Sequence, residues 1–199
     1  LSKLQALRIP LPSLDHQQRI ATELQGIFDH KATLEAAIEA AKYEQGLHRQ
    51  FASHRECVPL FEGAPMVALG DVCDIRYGTA ISKKDLLPGS VPVIGGGKSP
   101  MGMHSTSNVP ANSIVMSKIG AAAGFVGHYV QAVFVTSNAM VLTERNQQQL
   151  SRRFLFGYLQ YQQNQLYALQ KGCGQPLVRR DDLKALRIPL PSLDHQQRI

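Results

Sequence analysis

The chain has 199 residues, 44% of them hydrophobic and 18% charged, with a formal net charge of +6. That length and hydrophobicity allow a buried core in one or two domains and exclude an intrinsically disordered chain. No apolar run reaches the roughly 18 residues that a membrane span needs; the nearest, Ala111–Leu142, is interrupted by Lys118, Gly127 and His128.

Pro10 and Pro12 bracket an extended stretch. Ser13 or Asp15 then offers a helix N-cap, and Asp15 with Gln18 has the spacing of a capping box. Ile20, Leu24, Ile27, Leu34, Ile38 and Ala41 follow in alternating steps of three and four, with Lys31 in the one missing position. This coiled-coil-like stripe predicts a single helix from about Leu14 to about His54. At 1.5 Å per residue it would be roughly 60 Å long, too long for one element of a small domain. Gly26 and Gly46 each weaken it by about 1 kcal/mol relative to Ala. A seam this narrow requires a second helix against it.

From Val58 the character changes. Pro59, Gly63 and Pro65 form a linker. Short β-branched or aromatic runs then predict strands at Asp74–Tyr77, Val91–Ile94, Ile114–Ile119, Phe125–Val130, Val133–Thr136 and Ala139–Thr143. Leu155, Leu159, Leu166 and Leu169 keep helical spacing until Gly172-Cys173-Gly174-Gln175-Pro176 stops the helix. A last strand, Arg187–Leu190, leads into a further helix. The expected fold is α+β: an irregular, mostly-β domain with a few helices, joined to a long coiled-coil-like α-helix.

Charge is unevenly spread. Ser13–Cys57 holds five Lys/Arg against seven Asp/Glu, whereas Leu86–Arg180 holds eight against one, Glu144. A one-signed stretch of this kind suits a polyanion; a solvated basic face is the plainer alternative. Gly97-Lys98-Ser99 ends like a phosphate-binding loop. Pro92 stands where that motif needs its first Gly, however, and Pro100 blocks the helix that must follow. The expectation is a hairpin tip with one phosphate-reaching lysine. Gly120–Gly124 predicts a tight turn between two strands, with Lys118 just before it.

Chemistry-bearing motifs are weak. Cys57, Cys73 and Cys173 are too far apart for a zinc knuckle or a redox pair, so reduced thiols and a cytoplasmic location are expected. His48, His54 and Cys57 read as an exposed helix tail rather than a metal site. Asp181-Asp182 reads as the cap of a helical turn. No hydrolase triad, S-adenosylmethionine site or Pro-Pro-aromatic methyltransferase loop is present. A non-catalytic chain without metal or cofactor is expected.

Ala6–Ile20 and Ala185–Ile199 are the same fifteen residues, ALRIPLPSLDHQQRI. The period is far longer than the roughly 20–50 residues of solenoid repeats. It indicates a domain-sized module that recurs, and a chain that is half of a longer protein or a fragment of one. This junction resembles that of the specificity subunits of type I restriction–modification enzymes. In that family a target-recognition domain ends in an I-P-L-P strand and passes into a spacer helix. Val67–Gly78 (VALGDVCDIRYG) resembles the family's domain opening. Val91–Ile94 with the glycines after it resembles its next strand, and Lys171–Leu177 its late glycine-rich turn.

The resemblance implies the following. Residues 1–13 end a preceding recognition domain, 14–57 are a spacer helix, 58–191 a recognition domain, and 192–199 the start of a second spacer helix. Such proteins carry two recognition domains, each reading half of a bipartite duplex DNA site. Two antiparallel helices set the gap and dock methyltransferase subunits, and the restriction subunit joins through the complex. Here Ile20, Leu24, Ile27, Leu34, Ile38 and Ala41 would meet a helix from the second half of the subunit or from a homodimer partner. The expected DNA contacts are Lys83, Lys84, Lys98, Lys118, Arg152, Arg153, Lys171, Gln175, Arg179 and Arg180. Gln175, Arg179 and Arg180 lead because they follow the glycine turn. Two alternatives stand beside this: the recognition part of a fused methyltransferase/restriction enzyme, and a coiled-coil interaction protein.

Overall fold

The structure, a computed structural model, describes residues 13–51, 61, 63–172 and 174–198. The chain divides into two units, Leu1–Ala37 and Ile38–Ile199, and helix α1 (Leu14–Phe51) runs across the division. The backbone N–H of Gln17 donates to the Ser13 carbonyl at 2.9 Å, so the helix starts behind Ser13 rather than Asp15. Ile20, Leu24, Ile27, Leu34 and Ile38 are between 41% and 63% exposed, and Phe28, absent from the predicted stripe, is 60% exposed. Lys31 pairs with Glu35 at 3.7 Å one turn on. Ala41 lies within α1, but its side chain is outside the described residues. So are His54, Cys57 and the expected extension of the helix beyond Phe51.

In the second unit, β2 (Cys73–Tyr77), β5 (Ser113–Ser117), β6 (Val126–Tyr129) and β8 (Ala139–Glu144) form an antiparallel sheet in the order β2-β8-β5-β6. Strand alternation sends side chains to opposite faces, and along the central strands β5 and β8 both faces are buried. Ile114, Met116, Met140 and Leu142 pack on one face with Phe154, Leu155, Leu159 and Leu166. Those four come from helices α3 (Arg152–Tyr161) and α4 (Gln163–Ala168). Val115, Ala139 and Val141 turn to the other face and pack with Ile94, Val133 and Val135. Those belong to or flank a three-stranded sheet in the order β4-β3-β7. Its members are β3 (Val91–Ile94), β4 (Gly102–His104) and β7 (Phe134–Val135).

The domain is closed by its own ends. Strand β1 (Met66–Ala68) pairs antiparallel with β9 (Arg187–Pro189), Val67 opposite Ile188. Phe61 packs edge-on against Tyr158, with ring centroids 5.4 Å apart. Helix α2 (Leu69–Val72) links β1 to β2, and α5 (Arg180–Lys184) precedes β9.

After β9, helix α6 (Leu193–Arg198) starts behind Ser192 as α1 starts behind Ser13, so the two copies of the repeat enter a helix at equivalent residues. Gln196 anchors α6 and is fully buried. Its Nε2 donates to the carbonyls of Gln149 and Pro191, both at 2.8 Å. Its Oε1 accepts the N–H of Ser151, the N-cap of α3, at 2.7 Å.

Several elements differ from the sequence expectation. Of the strand expected at Val133–Thr136 only Phe134–Val135 joins the sheet, while Val133 and Thr136 form isolated bridges to Val109 and Thr79. The expected leucine helix is two helices that meet at Gln162, whose φ/ψ of −87°/15° breaks the helical path.

Candidate nucleic-acid interface

The four-stranded sheet has two ends, fixed by register. Cys73 lies opposite Glu144 at one end and Tyr77 opposite Met140 near the other. Ser117 is opposite Ala139 at that second end. Charged residues at the first end are paired. Arg152 Nε donates to Glu144 Oε1 at 2.6 Å, and Arg152 Nη1 donates to the Asn112 carbonyl at 2.7 Å. The Glu144 side chain is 1% exposed and that of Arg152 30%. A carboxylate so deep is tolerated only with a cation beside it, and Oε2 of Glu144 is buried without a hydrogen bond among the described residues. Arg145 pairs with Asp74 at 3.0 Å in solvent. Cys73 lies here too; burial first, then the charges of Glu144 and Asp74, push its thiol up to about 12, so it is no nucleophile at neutral pH.

At the second end, four loops are knitted together by main-chain bonds. The first is the tip between β3 and β4. Ser117 Oγ donates to the Gly97 carbonyl at 2.9 Å and to that of Gly95 at 3.3 Å. A Cβ on Gly96 would overlap the Ile119 carbonyl, so only glycine lets the tip lie this close. The second is the Gly120–Gly124 turn, with Gly124 in the left-handed region at φ +91° against the backbone of α4. Gln170 and Gln163 cap its Ala123 and Gly124 carbonyls at 2.7 and 2.8 Å. The third is the loop closed by the Lys171–Leu177 bridge. Gly120 N–H donates to the Pro176 carbonyl, and Val178 N–H to that of Lys118, both at 2.9 Å. The fourth is Thr136–Asn138, whose Asn138 carbonyl accepts the Lys118 N–H at 2.9 Å.

This end carries cations over aromatic rings. Lys118 Nζ lies 4.7 Å and the Arg180 guanidinium carbon 5.0 Å from the centroid of Tyr77. Lys98 Nζ lies 5.8 Å from the Phe125 ring and 5.9 Å from that of Tyr167. Among the described residues, none of these three cations makes an ion pair. A ring face attracts a cation without neutralising it, so the charge stays available to an anion.

The ten expected contacts thus fall into groups. Lys98, Lys118 and Arg180 sit at the second end, with Gln175 exposed in the loop closed by Lys171 and Leu177. Arg179 is exposed as the N-cap of α5. Lys171 sits beside them but holds Asp182 at 2.8 Å. Arg152 belongs to the paired end, and Arg153, exposed, is its neighbour on α3. Lys83 and Lys84 lie in a 3₁₀ turn (Lys83–Asp85) capped by Ser82, with Lys84 exposed and the Lys83 side chain outside the described residues. The backbone after that turn is bonded to His104 at the far end of β4, away from the tip. Tyr77, Phe125 and Tyr167 are absent from the sequence expectation.

Lys98, Lys118 and Arg180, in no ion pair among the described residues, offer positive charge that an anion could meet. Among the described residues no three His, Cys, Asp or Glu side chains cluster as metal ligands, and no helix is long and apolar enough to cross a membrane. Residues 62–199 match the family described as the type I restriction modification DNA specificity domain. The chain belongs to that family.

Solved structures share the specificity-domain fold. A type I restriction–modification S subunit from M. genitalium is 24% identical with a TM-score of 0.59, over 64% of this chain and 35% of that one. The HsdS subunit from Thermoanaerobacter tengcongensis is 23% identical with a TM-score of 0.54, over 96% and 50%. A structure described as concerning complex assembly and conformational transition of the type I R-M system gives 22% and 0.55, over 96% and 51%. The chain therefore spans between about a third and about half of those proteins. No curated protein sequence matches it significantly.

Proposed function

We propose that this specificity domain reads one half of a bipartite duplex DNA target for a type I restriction–modification complex and is itself non-catalytic. The observation that carries the reading is the convergence of Lys98, Lys118 and Arg180, none in an ion pair among the described residues, at one end of the sheet. Lys and Arg at phosphates give affinity; fork-shaped donors at base edges give sequence preference.

In the same proposal the module runs from residue 58 to 191, flanked by spacer helices over 14–57 and from 192 onward. The pairing of β1 with β9 supports this, because it brings the two ends of the module together. The exposed stripe of Ile20, Leu24, Ile27, Leu34 and Ile38 is a coiled-coil seam. It takes a helix from a second half of the subunit or from a second copy, and the pair docks methyltransferase subunits and, through the complex, the restriction subunit, in the cytoplasm. Leu34→Asp would then break association, as read by sedimentation; a wild type that is monomeric with the same mass as the mutant counts against the seam.

Fluorescence anisotropy on duplex DNA across a salt series tests the central reading. Log K should fall linearly with log salt. Absence of DNA binding at any salt would end the proposal. So would methylation or cleavage by this chain, given S-adenosylmethionine, ATP and Mg²⁺, that a point mutation in it abolishes.

A further inference from the structure

We propose that Tyr77 is a positioning residue that presents the Arg180 guanidinium to a guanine in the major groove, with Lys118 on the same ring meeting the DNA backbone. The inference rests on the DNA-recognition reading above and names the base that this end selects.

Tyr77 is 43% exposed at the last position of β2, so its ring is not there to fill the core. Its backbone is nevertheless closely packed. A Cβ on the next residue, Gly78, would overlap the carbonyls of Val135 and Thr136, and Gly78 N–H donates to the Ala139 carbonyl at 3.2 Å. The ring therefore stands on a fixed base with both cations over it, at 4.7 and 5.0 Å. Arg180 is equally fixed. It opens α5 between buried Val178 and Leu183, and Leu183 N–H donates to the Arg179 carbonyl at 3.1 Å.

Stacking uses the flat face of a guanidinium and leaves its edge for hydrogen bonds. Nε of Arg180 is buried and makes no hydrogen bond, which leaves the two terminal nitrogens as the available fork. That fork matches two adjacent acceptors. In the major groove guanine offers such a pair, O6 and N7. Adenine alternates acceptor and donor, thymine offers one acceptor and a methyl group, and cytosine offers a donor. No carboxylate among the described residues is in an ion pair with Arg180, so none of them competes for the fork.

The test is selection from a randomised duplex library by the full 199-residue chain, comparing wild type with Arg180→Lys, Tyr77→Leu and Tyr77→Phe. The wild type should enrich a guanine at one position. Arg180→Lys and Tyr77→Leu should flatten that position and lose about tenfold or more in affinity for the selected duplex. Tyr77→Phe keeps the ring face and should keep the preference. Replacing the enriched guanine by 7-deazaguanine should weaken the wild type and leave Arg180→Lys almost unaffected. Unfolding of each variant in urea separates loss of reading from loss of fold, and if Tyr77→Leu does not fold, Arg180→Lys with the 7-deaza duplex decides. A selected motif without guanine, or equal losses on selected and scrambled duplexes, would overturn the inference while DNA recognition stands. A wild type that selects no sequence would remove both.

Discussion

At the Cys73–Glu144 end of the sheet, Arg152 is held by a buried carboxylate and Arg145 by an exposed one. At the Tyr77–Ala139 end, Lys98, Lys118 and Arg180 rest on rings, without ion pairs among the described residues. Both ends carry arginine, yet Arg152 and Arg145 are paired with carboxylates and Arg180, among the described residues, is not. Net charge says that a basic surface exists; what lies next to each cation says where it is. On the proposal above, the arginine beside a buried glutamate serves the fold, and the arginine on an exposed tyrosine serves the DNA.

The sharpest way to break this contrast is at the paired end. Arg152→Ala strands a buried Glu144 carboxylate and should cost about 3 kcal/mol of stability, read by urea denaturation, with the base preference unchanged. A variant that is stable but has lost DNA binding would reverse the assignment. At the other end, Arg180→Ala should cost about 1–3 kcal/mol of binding to the preferred duplex and relax one base position, with little change in the urea midpoint.

Acid should act on the paired end. His128 is buried, and burial first, then the Arg152 charge, lower its pKa below the usual 6.5. Below about pH 6.5 the unfolded chain takes up this proton before the folded one does. Stability is therefore full above 6.5 and lost as pH falls towards the lower folded value. One proton sets a ceiling of about 1.4 kcal/mol per pH unit. His128→Asn should flatten that part of the urea midpoint against pH.

Two smaller effects complete the series. Lys118→Ala should weaken binding to all sequences alike and reduce the salt slope by about one unit, checked by anisotropy across salt. Arg145→Ala, which breaks an exposed pair with Asp74, should change stability by less than about 0.5 kcal/mol and leave DNA binding alone. A large effect of Arg145→Ala on binding would extend the interface to the wrong end of the sheet.

Local chemistry was legible in the sequence. Periodicity located α1, and proline and glycine located the β3–β4 tip and the turn at Gly120–Gly124. β-branched runs located the central strands. What was not legible depends on pairing. Gly102–His104 has no strand pattern of its own and is a strand because β3 lies beside it. Met66–Ala68 is one because β9 returns to it. Tyr77 at the end of β2, Lys118 just after β5 and Arg180 at the start of α5 are far apart in sequence, so no local motif could mark them. Glu144 was visible as the one acid between Leu86 and Arg180. That it is buried beneath Arg152 is a property of the strand-to-helix connection after β8.

The Gln196 clamp has a mechanical consequence. Three hydrogen bonds from one amide set the direction in which α6 leaves the domain. A helix continued from there to the 38 residues of α1 would act as a pointer about 57 Å long at 1.5 Å per residue. An angular error of about one degree at its base would displace the tip by about 1 Å, and about three and a half degrees would displace it by the roughly 3.4 Å rise of one base pair. On the proposed spacer reading, the hydrogen bonds of this one buried glutamine would set the tolerance with which such a pointer measures distance along DNA.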